Sequence, residues 1–128
     1  MKLLLDTHAL AWWLLDDKRL SARARDLIGD PENQIFASAV SAFEAATKHR
    51  LGKWPEIGPL TTAFEEVIVG QNFGIVPISA RHAGHAGALR WDHRDPFDRI
   101  LTAQAQIEDM GLVTNDRRLA GFAVDIIW

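Results

Sequence analysis

Short apolar runs alternate along this chain with segments in which apolar residues recur every three or four positions. Leu3-Leu4-Leu5 is the plainest run, and residues 2–5 read as a strand buried on both faces. Residues 8–15 and 21–29 follow as helices, the second with Ser21 as its N-cap, and Gly29-Asp30-Pro31-Glu32-Asn33 breaks the chain. Residues 34–37 read as a short strand, and 39–51 as a helix capped by Ser38 and ended by Gly52. One helix is expected over 60–71 after Gly58-Pro59, then a strand edge over 75–77 and a helix capped by Ser79 to about Leu89. Beyond the polar, irregular stretch 90–95, Asp95-Pro96 starts a helix to about Met110. A strand over 112–114, a short helix over 116–121 and a last strand over 123–127 complete the pattern. No repeat or long linker interrupts it, so residues 1–128 are read as a single domain.

Strands alternating with helices predict an α/β fold with a parallel sheet covered on both faces. Ligands in such folds bind outside the carboxyl ends of the strands. Asp6 stands at such an end, directly after the first strand, where an unpaired carboxylate is costly. Asp116 stands just beyond the strand 112–114, with Thr114 and Asn115 adding a hydroxyl and an amide. On helix 39–51, Val40, Phe43, Thr47 and Leu51 make the less polar stripe, and Glu44 falls on or beside it. The bland explanation for Glu44 is pairing with a core arginine.

Asp95 is the natural N-cap of its helix, and Asp98 and Asp116 also suit helix starts. Asp98, however, flanks the core-facing Phe97, Ile100 and Leu101, and would point into the same crevice as Asp6. Carboxylates gathered that closely cannot all ionise unless a cation sits among them. Oxygen donors without cysteine or clustered histidine favour Mg²⁺ or Mn²⁺ over Zn²⁺.

Composition narrows the setting. The absence of cysteine excludes disulfides and thiolate metal sites and fits a cytoplasmic location. No run of about 18 apolar residues predicts a membrane span, and no signal-peptide pattern is expected. The net charge of −3 argues mildly against a nucleic-acid partner. The cations nonetheless cluster beside the acids, which makes Lys48, Arg50, Lys53, Arg94 and Arg99 candidate phosphate contacts. The alternative for each is a solvated face or a cation at a helix C-terminus. His8, among Ala9, Leu10, Trp12 and Trp13, reads as a packing residue rather than an acid or base. Trp12, Trp13, Trp54 and Trp91 suit base stacking or, preferably, interface anchoring. The small-residue stretch HAGHAGAL at 82–89 suggests close helix approach.

Four segments then carry a resemblance: LLLDTHALAWW, SAVSAFEAATKHRLGKW, HRDPFDRILTAQA and LVTNDRRL. Their types and order resemble the four motifs of the PIN-domain ribonucleases, and within them the VapC-type toxins of VapBC toxin–antitoxin pairs. The resemblance runs from residue 3 to about 119. It implies a PIN-like three-layer α/β/α sandwich with a central parallel sheet of about five strands. It implies Mg²⁺ or Mn²⁺ held by Asp6, Glu44, Asp98 and Asp116, with Thr7, Ser41 and Thr114 supporting those ligands beside Asn115. It also implies an endoribonuclease cutting single-stranded or loop RNA, a homodimer, and inhibition by a cognate antitoxin protein.

Three rivals differ in kind. A receiver domain needs a phospho-accepting aspartate at a mid-chain strand end, where Gly74-Ile75-Val76-Pro77-Ile78 leads instead to Ser79 and Ala80. A hydrolase with an aspartyl nucleophile wants a second acid two residues after Asp6, where His8 stands. The remaining alternative is a non-catalytic protein- or RNA-binding module on the same fold, against which the full set of acids argues.

Overall fold

The computed structural model of the chain describes residues 1–90 and 92–128. Its strands are β1 (Lys2–Leu5), β2 (Gln34–Ser38), β3 (Gly74–Val76), β4 (Gly111–Val113) and β5 (Ile126–Ile127). They form one sheet in the order β3-β2-β1-β4-β5, and every neighbouring pair is parallel. β1 lies at the centre, with Leu3 opposite Ile35 on one side and Gly111 on the other. A Cβ at Gly111 would lie 2.7 Å from Ile127 Cδ1 and 3.2 Å from Leu3 Cδ2, so a side chain there would have to push the tips of both residues aside.

The helices are α1 (Thr7–Leu14), α2 (Ala22–Gly29), α3 (Ala39–Arg50), α4 (Gly58–Thr62), α5 (Phe64–Gly70), α6 (Ala80–Ala88) and α7 (Pro96–Ile107). Successive strand residues point to opposite faces, so the three leucines of β1 serve two cores. Leu3 and Leu5 pack with Leu10, Ala24, Ile28 and Ile68, on the face covered by α1, α2 and α5. Leu4 packs with Val40, Leu101, Ala105 and Leu112, on the face covered by α3 and α7. Both faces of the sheet are therefore apolar and covered, which gives the expected three-layer α/β/α sandwich. A smaller cluster of Ala11, Ala45, Trp54, Ile57 and Leu60 ties α1 to α3 and to the segment that follows it.

The expected single helix over 60–71 is two helices. A 3-10 turn at Pro55–Ile57 leads into α4, and Ala63 leaves helical geometry (φ −143°, ψ 42°) before α5 begins. The Thr61 hydroxyl donates to the Gly58 carbonyl at 2.6 Å, a local bond that competes with continuing the helix. α7 stops at Ile107, because Asp109 adopts φ 55° and turns the chain into β4. The last strand is shorter than 123–127, because Ala123 is left-handed and pairing with β4 is confined to Ile126 and Ile127. The segment expected as a short helix is the 3-10 helix Arg117–Phe122. Trp91 lies outside the described residues.

Because every strand runs the same way, the ends of β1, β2 and β4 open onto one edge of the sheet. The Asp6 amide donates to Val113 O at 3.0 Å, which fixes the end of β1 against the end of β4.

Candidate active site

Asp6 follows β1 with extended backbone and serves as the N-cap of α1, accepting from the Ala9 amide at 2.7 Å. It is 7% exposed and forms no ion pair among the described residues. Burial pushes its carboxyl up to about 7. The hydrogen bonds from Thr114 and the Ala9 amide pull the other way, and the charges of Asp98 and Glu44 raise it further. The carboxylate that ends the first strand therefore faces other acids.

Thr114 is wholly buried at the end of β4. Its hydroxyl accepts from the Asp116 amide at 3.1 Å, and its proximity lowers the Asp6 pKa. Thr7 and Ser41, both buried, join hydroxyl to hydroxyl at 2.9 Å and lock the start of α1 to α3.

Glu44 is 5% exposed, on a buried face of α3 made by Val40, Ser41, Glu44 and Ala45. The expected apolar stripe is corrected here: Phe43 is 64% and Leu51 52% exposed. Phe43 turns outward beside Phe97, ring centroids 5.7 Å apart, and the small Ser41 and Ala45 take the inner positions. Glu44 pairs not with a core arginine but with Lys48, one turn along the same helix.

Asp95 caps α7, accepting from the Phe97 amide at 2.9 Å and the Asp98 amide at 3.3 Å. Asp98, in the first turn, accepts from His93 Nε2 at 2.8 Å. Burial raises its pKa, the His93 bond lowers it, and the charges of Asp95 and Glu44 raise it again. Asp116 caps the 3-10 helix and is gripped by Arg118, whose Nε and Nη2 donate at 2.9 and 2.7 Å; that contact lowers its pKa.

Asp6, Glu44, Asp98 and Asp116 line one cleft of about 400 Å³, together with Thr7, His8, Lys48 and Asn115. Asp98 and Asp116 also form a tighter group with His93, which itself stands outside the lining of the cleft: one ligand atom of each lies within 4.8 Å of the others. Asp6 and Glu44 border the cleft without joining that group. His93 is the residue the sequence reading missed. Its side chain is only 7% exposed and stands edge-on to Phe122. The signal available was a histidine placed just before a proline-started helix that opens with an acid.

The other expected residues divide. Lys48 lines the cleft, and Lys53 an adjoining pocket. Arg50 is exposed, and Arg94 is exposed by a separate hollow bounded by Gly87, Asp92 and His93. Arg99 departs from the phosphate-contact reading. Its guanidinium donates to the carbonyls of Ala86, Gly87, Leu89 and His93, closing the end of α6. His8 stacks on Trp54 at 4.6 Å and 25°, and burial together with Lys48 lowers its pKa. Trp12 and Trp54 are buried, and the Trp13 indole donates to Gln71 at 3.0 Å. A Cβ at Gly84 or Gly87 would meet nothing within 4 Å, so packing within this chain does not require those glycines.

The donors at the cleft are carboxylate oxygens, with hydroxyls and an amide behind them and no thiolate. The buried Asp6 and the half-buried Asp98 are both raised in pKa, the condition that a cation among them relieves. Such a set suits a hard divalent ion.

The PIN domain family model matches residues 3–124. Ribonuclease VapC22 of Mycobacterium tuberculosis is 31% identical over 117 residues, covering 91% of this chain and 88% of the relative. Among solved structures, VapBC2 from Rickettsia felis, bound to a DNA fragment from its promoter, superposes with a TM-score of 0.70 at 16% identity, over 100% of this chain and 99% of that one. A toxin–antitoxin complex from Klebsiella pneumoniae superposes with a TM-score of 0.63 at 23% identity, over 98% and 95%. FitAcB from Neisseria gonorrhoeae gives 0.65 at 17% identity, over 98% and 96%. At these identities the structures establish the fold, while the family model and the mycobacterial relative establish descent: the chain belongs to the PIN domain family, in its VapC-type branch.

Proposed function

We propose that this chain is the ribonuclease toxin of a toxin–antitoxin pair, a divalent-metal-dependent endonuclease that cuts single-stranded or loop RNA. One observation carries the reading: Asp6, Glu44, Asp98 and Asp116, far apart in sequence, line a single cleft at the carboxyl edge of the sheet. The 31% identical relative named as a ribonuclease and the toxin–antitoxin complexes sharing the fold support it. A cognate antitoxin holds the toxin in check, and the active form is a cytoplasmic homodimer. No helix among the described residues is long and apolar enough to cross a membrane.

Asp6, Glu44, Asp98 and Asp116 would hold Mg²⁺ or Mn²⁺, which would supply Lewis-acid activation of a water and neutralisation of charge on the phosphate. Around it the chain's own groups fix the acids. His93 orients Asp98 through its Nε2, as a positioning residue. Thr114 holds the backbone of Asp116, and the Thr7–Ser41 bond holds α1 against α3. Asp6, whose carboxyl burial pushes up to about 7, would have to lose its proton to hold the ion. Lys48 pairs with Glu44 and orients its carboxylate. Asn115 presents an amide to the substrate side of the cleft.

The test is to induce wild type and Asp6→Asn in cells and map new RNA ends. Ends that appear with wild type and not with Asp6→Asn are expected. The same ends with both proteins, or none with either, would favour the non-catalytic module.

A further inference from the structure

A second pocket opens beside the acid cleft and shares two residues with it. Its volume is about 330 Å³, room for one small ligand unit, and its walls are His8, Trp12, Arg19, Lys48, Lys53 and Trp54. His8 and Lys48 line both spaces, so the two adjoin. Their characters are opposite. The first is walled by carboxylates; the second carries three cations, opposed in its lining by the single acid Glu56.

The cations are held over aromatic faces. The Arg19 guanidinium lies 5.1 Å from the centre of a Trp12 ring, and Lys48 Nζ lies 5.8 Å from the centre of Trp54. Asp17 grips Arg19 from its far side with two hydrogen bonds, at 3.1 and 2.8 Å. Lys53 is exposed and makes no ion pair among the described residues. His8, stacked on Trp54, forms the wall common to both spaces.

We propose that this pocket is the subsite for the nucleotide adjoining the scissile phosphate, with Arg19 and Lys53 gripping its phosphate and the His8–Trp54 stack walling its sugar and base. The proposal rests on the ribonuclease reading above. A polyanion approaching a cleft of carboxylates is repelled unless positive charge lies close by, and here it lies next door. Cations along a backbone track beside aromatic surface are the usual means of holding a single strand without reading its sequence. Arg19 enters from the loop after α1, and Lys53 and Trp54 from the loop after α3, so the subsite is built by the segments that flank the acid helices.

The test uses a fluorescent, mixed-sequence, single-stranded oligoribonucleotide and the full chain, with EDTA present so that the strand is bound and not cut. Wild type, Arg19→Ala, Lys53→Ala and the double variant are compared by anisotropy over a range of salt, with circular dichroism as the check on folding. Lys53→Gln and Arg19→Gln replace any alanine variant that fails to fold. The double variant is expected to bind roughly tenfold more weakly, and its log–log salt slope to shrink by about 0.7, the loss of one neutralised single-strand phosphate. Unchanged affinity and slope in a folded double variant, or no binding by wild type, would overturn the subsite. Loss of antitoxin binding with RNA binding intact would overturn it too, reassigning the pocket to the protein partner. Cleavage by the metal-loaded proteins is scored separately. Wild-type cutting with an unaltered KM in the double variant sinks the subsite alone. Strand binding weakened in the double variant, with no cutting by wild type, sinks only the ribonuclease reading.

Discussion

His93 Nε2 lies 2.8 Å from Asp98 Oδ2, and its imidazole is almost wholly shielded from solvent by the start of α7 and by Phe122. The contact fixes which way the Asp98 carboxylate faces and leaves Nε2 as a donor. Replacing His93 by alanine is therefore expected to leave the fold in place and to weaken both metal affinity and RNA cleavage by about 10- to 100-fold. His93→Gln, which restores a donor, is expected to recover part of the loss. Calorimetric metal titration beside cleavage rates checks this, and equal metal affinity in all three proteins would refute the positioning role.

Asp6 sets a pH dependence with a definite sign. Its carboxyl titrates near 3.8 in an exposed chain and at about 7 in the fold. Between those values the folded state keeps a proton that the unfolded state has lost. The associated stability is thus complete below about pH 4 and is lost as pH rises through 7. The metal-free protein should melt at a lower temperature at pH 8 than at pH 5.5 by more than Asp6→Asn does. The difference between the two proteins is the readout, because other groups titrate in both. Identical pH profiles would contradict the burial argument.

The same proton links pH to metal. Adding Mg²⁺ or Mn²⁺ should raise the melting temperature of wild type more at pH 8 than at pH 6, since uptake competes with protonation of Asp6. EDTA should abolish both the increment and the cleavage. A metal-induced rise of equal size in Asp6→Asn and Asp98→Asn would place the ion elsewhere.

The buried Thr7–Ser41 contact behaves as a pair. Ser41→Ala leaves the Thr7 hydroxyl without this partner and should cost about 1–3 kcal/mol. The double variant Thr7→Val/Ser41→Ala should cost less than the sum of the single changes, because no orphaned hydroxyl remains. Chemical denaturation of the four proteins closes the cycle, and strict additivity would show that the hydroxyls are not coupled.

Arg99 should act on stability and not on RNA. Arg99→Met frees the carbonyls of Ala86, Leu89 and His93 and is expected to destabilise the fold by about 2 kcal/mol or more. The salt dependence of strand binding should remain that of wild type. A flattened salt slope in Arg99→Met would restore it as a phosphate contact.

The sheet and the acids were legible in the sequence because each left a local mark. Leu3-Leu4-Leu5 is too apolar for a one-sided strand, and Asp6 follows it without a spacer. Ser21, Ser38, Ser79 and Asp95 all cap the helices they announce, each accepting a backbone N–H just inside its helix. What was hidden depends on contacts between distant residues. The inner face of α3 carries serine, glutamate and alanine while a phenylalanine points outward, so hydrophobicity alone misplaces the stripe. His93 and Arg99 look like members of one cationic patch. Only the packing of α6 and Phe122 around α7 separates them, one serving an acid in the cleft and the other the carbonyls of a helix end. The break at Ala63, where the backbone leaves helical geometry between α4 and α5, leaves no trace in the apolar spacing.

The most direct test of the central claim is a calorimetric titration of Mn²⁺ into wild type, Asp6→Asn, Glu44→Gln, Asp98→Asn and Asp116→Asn at pH 8. Binding by wild type, weakened at least tenfold by the change at Asp6 or Asp98 with the melting transition retained, is the predicted result. Equal Mn²⁺ affinity in all five folded proteins, or none in wild type, would mean that these carboxylates do not gather a metal ion.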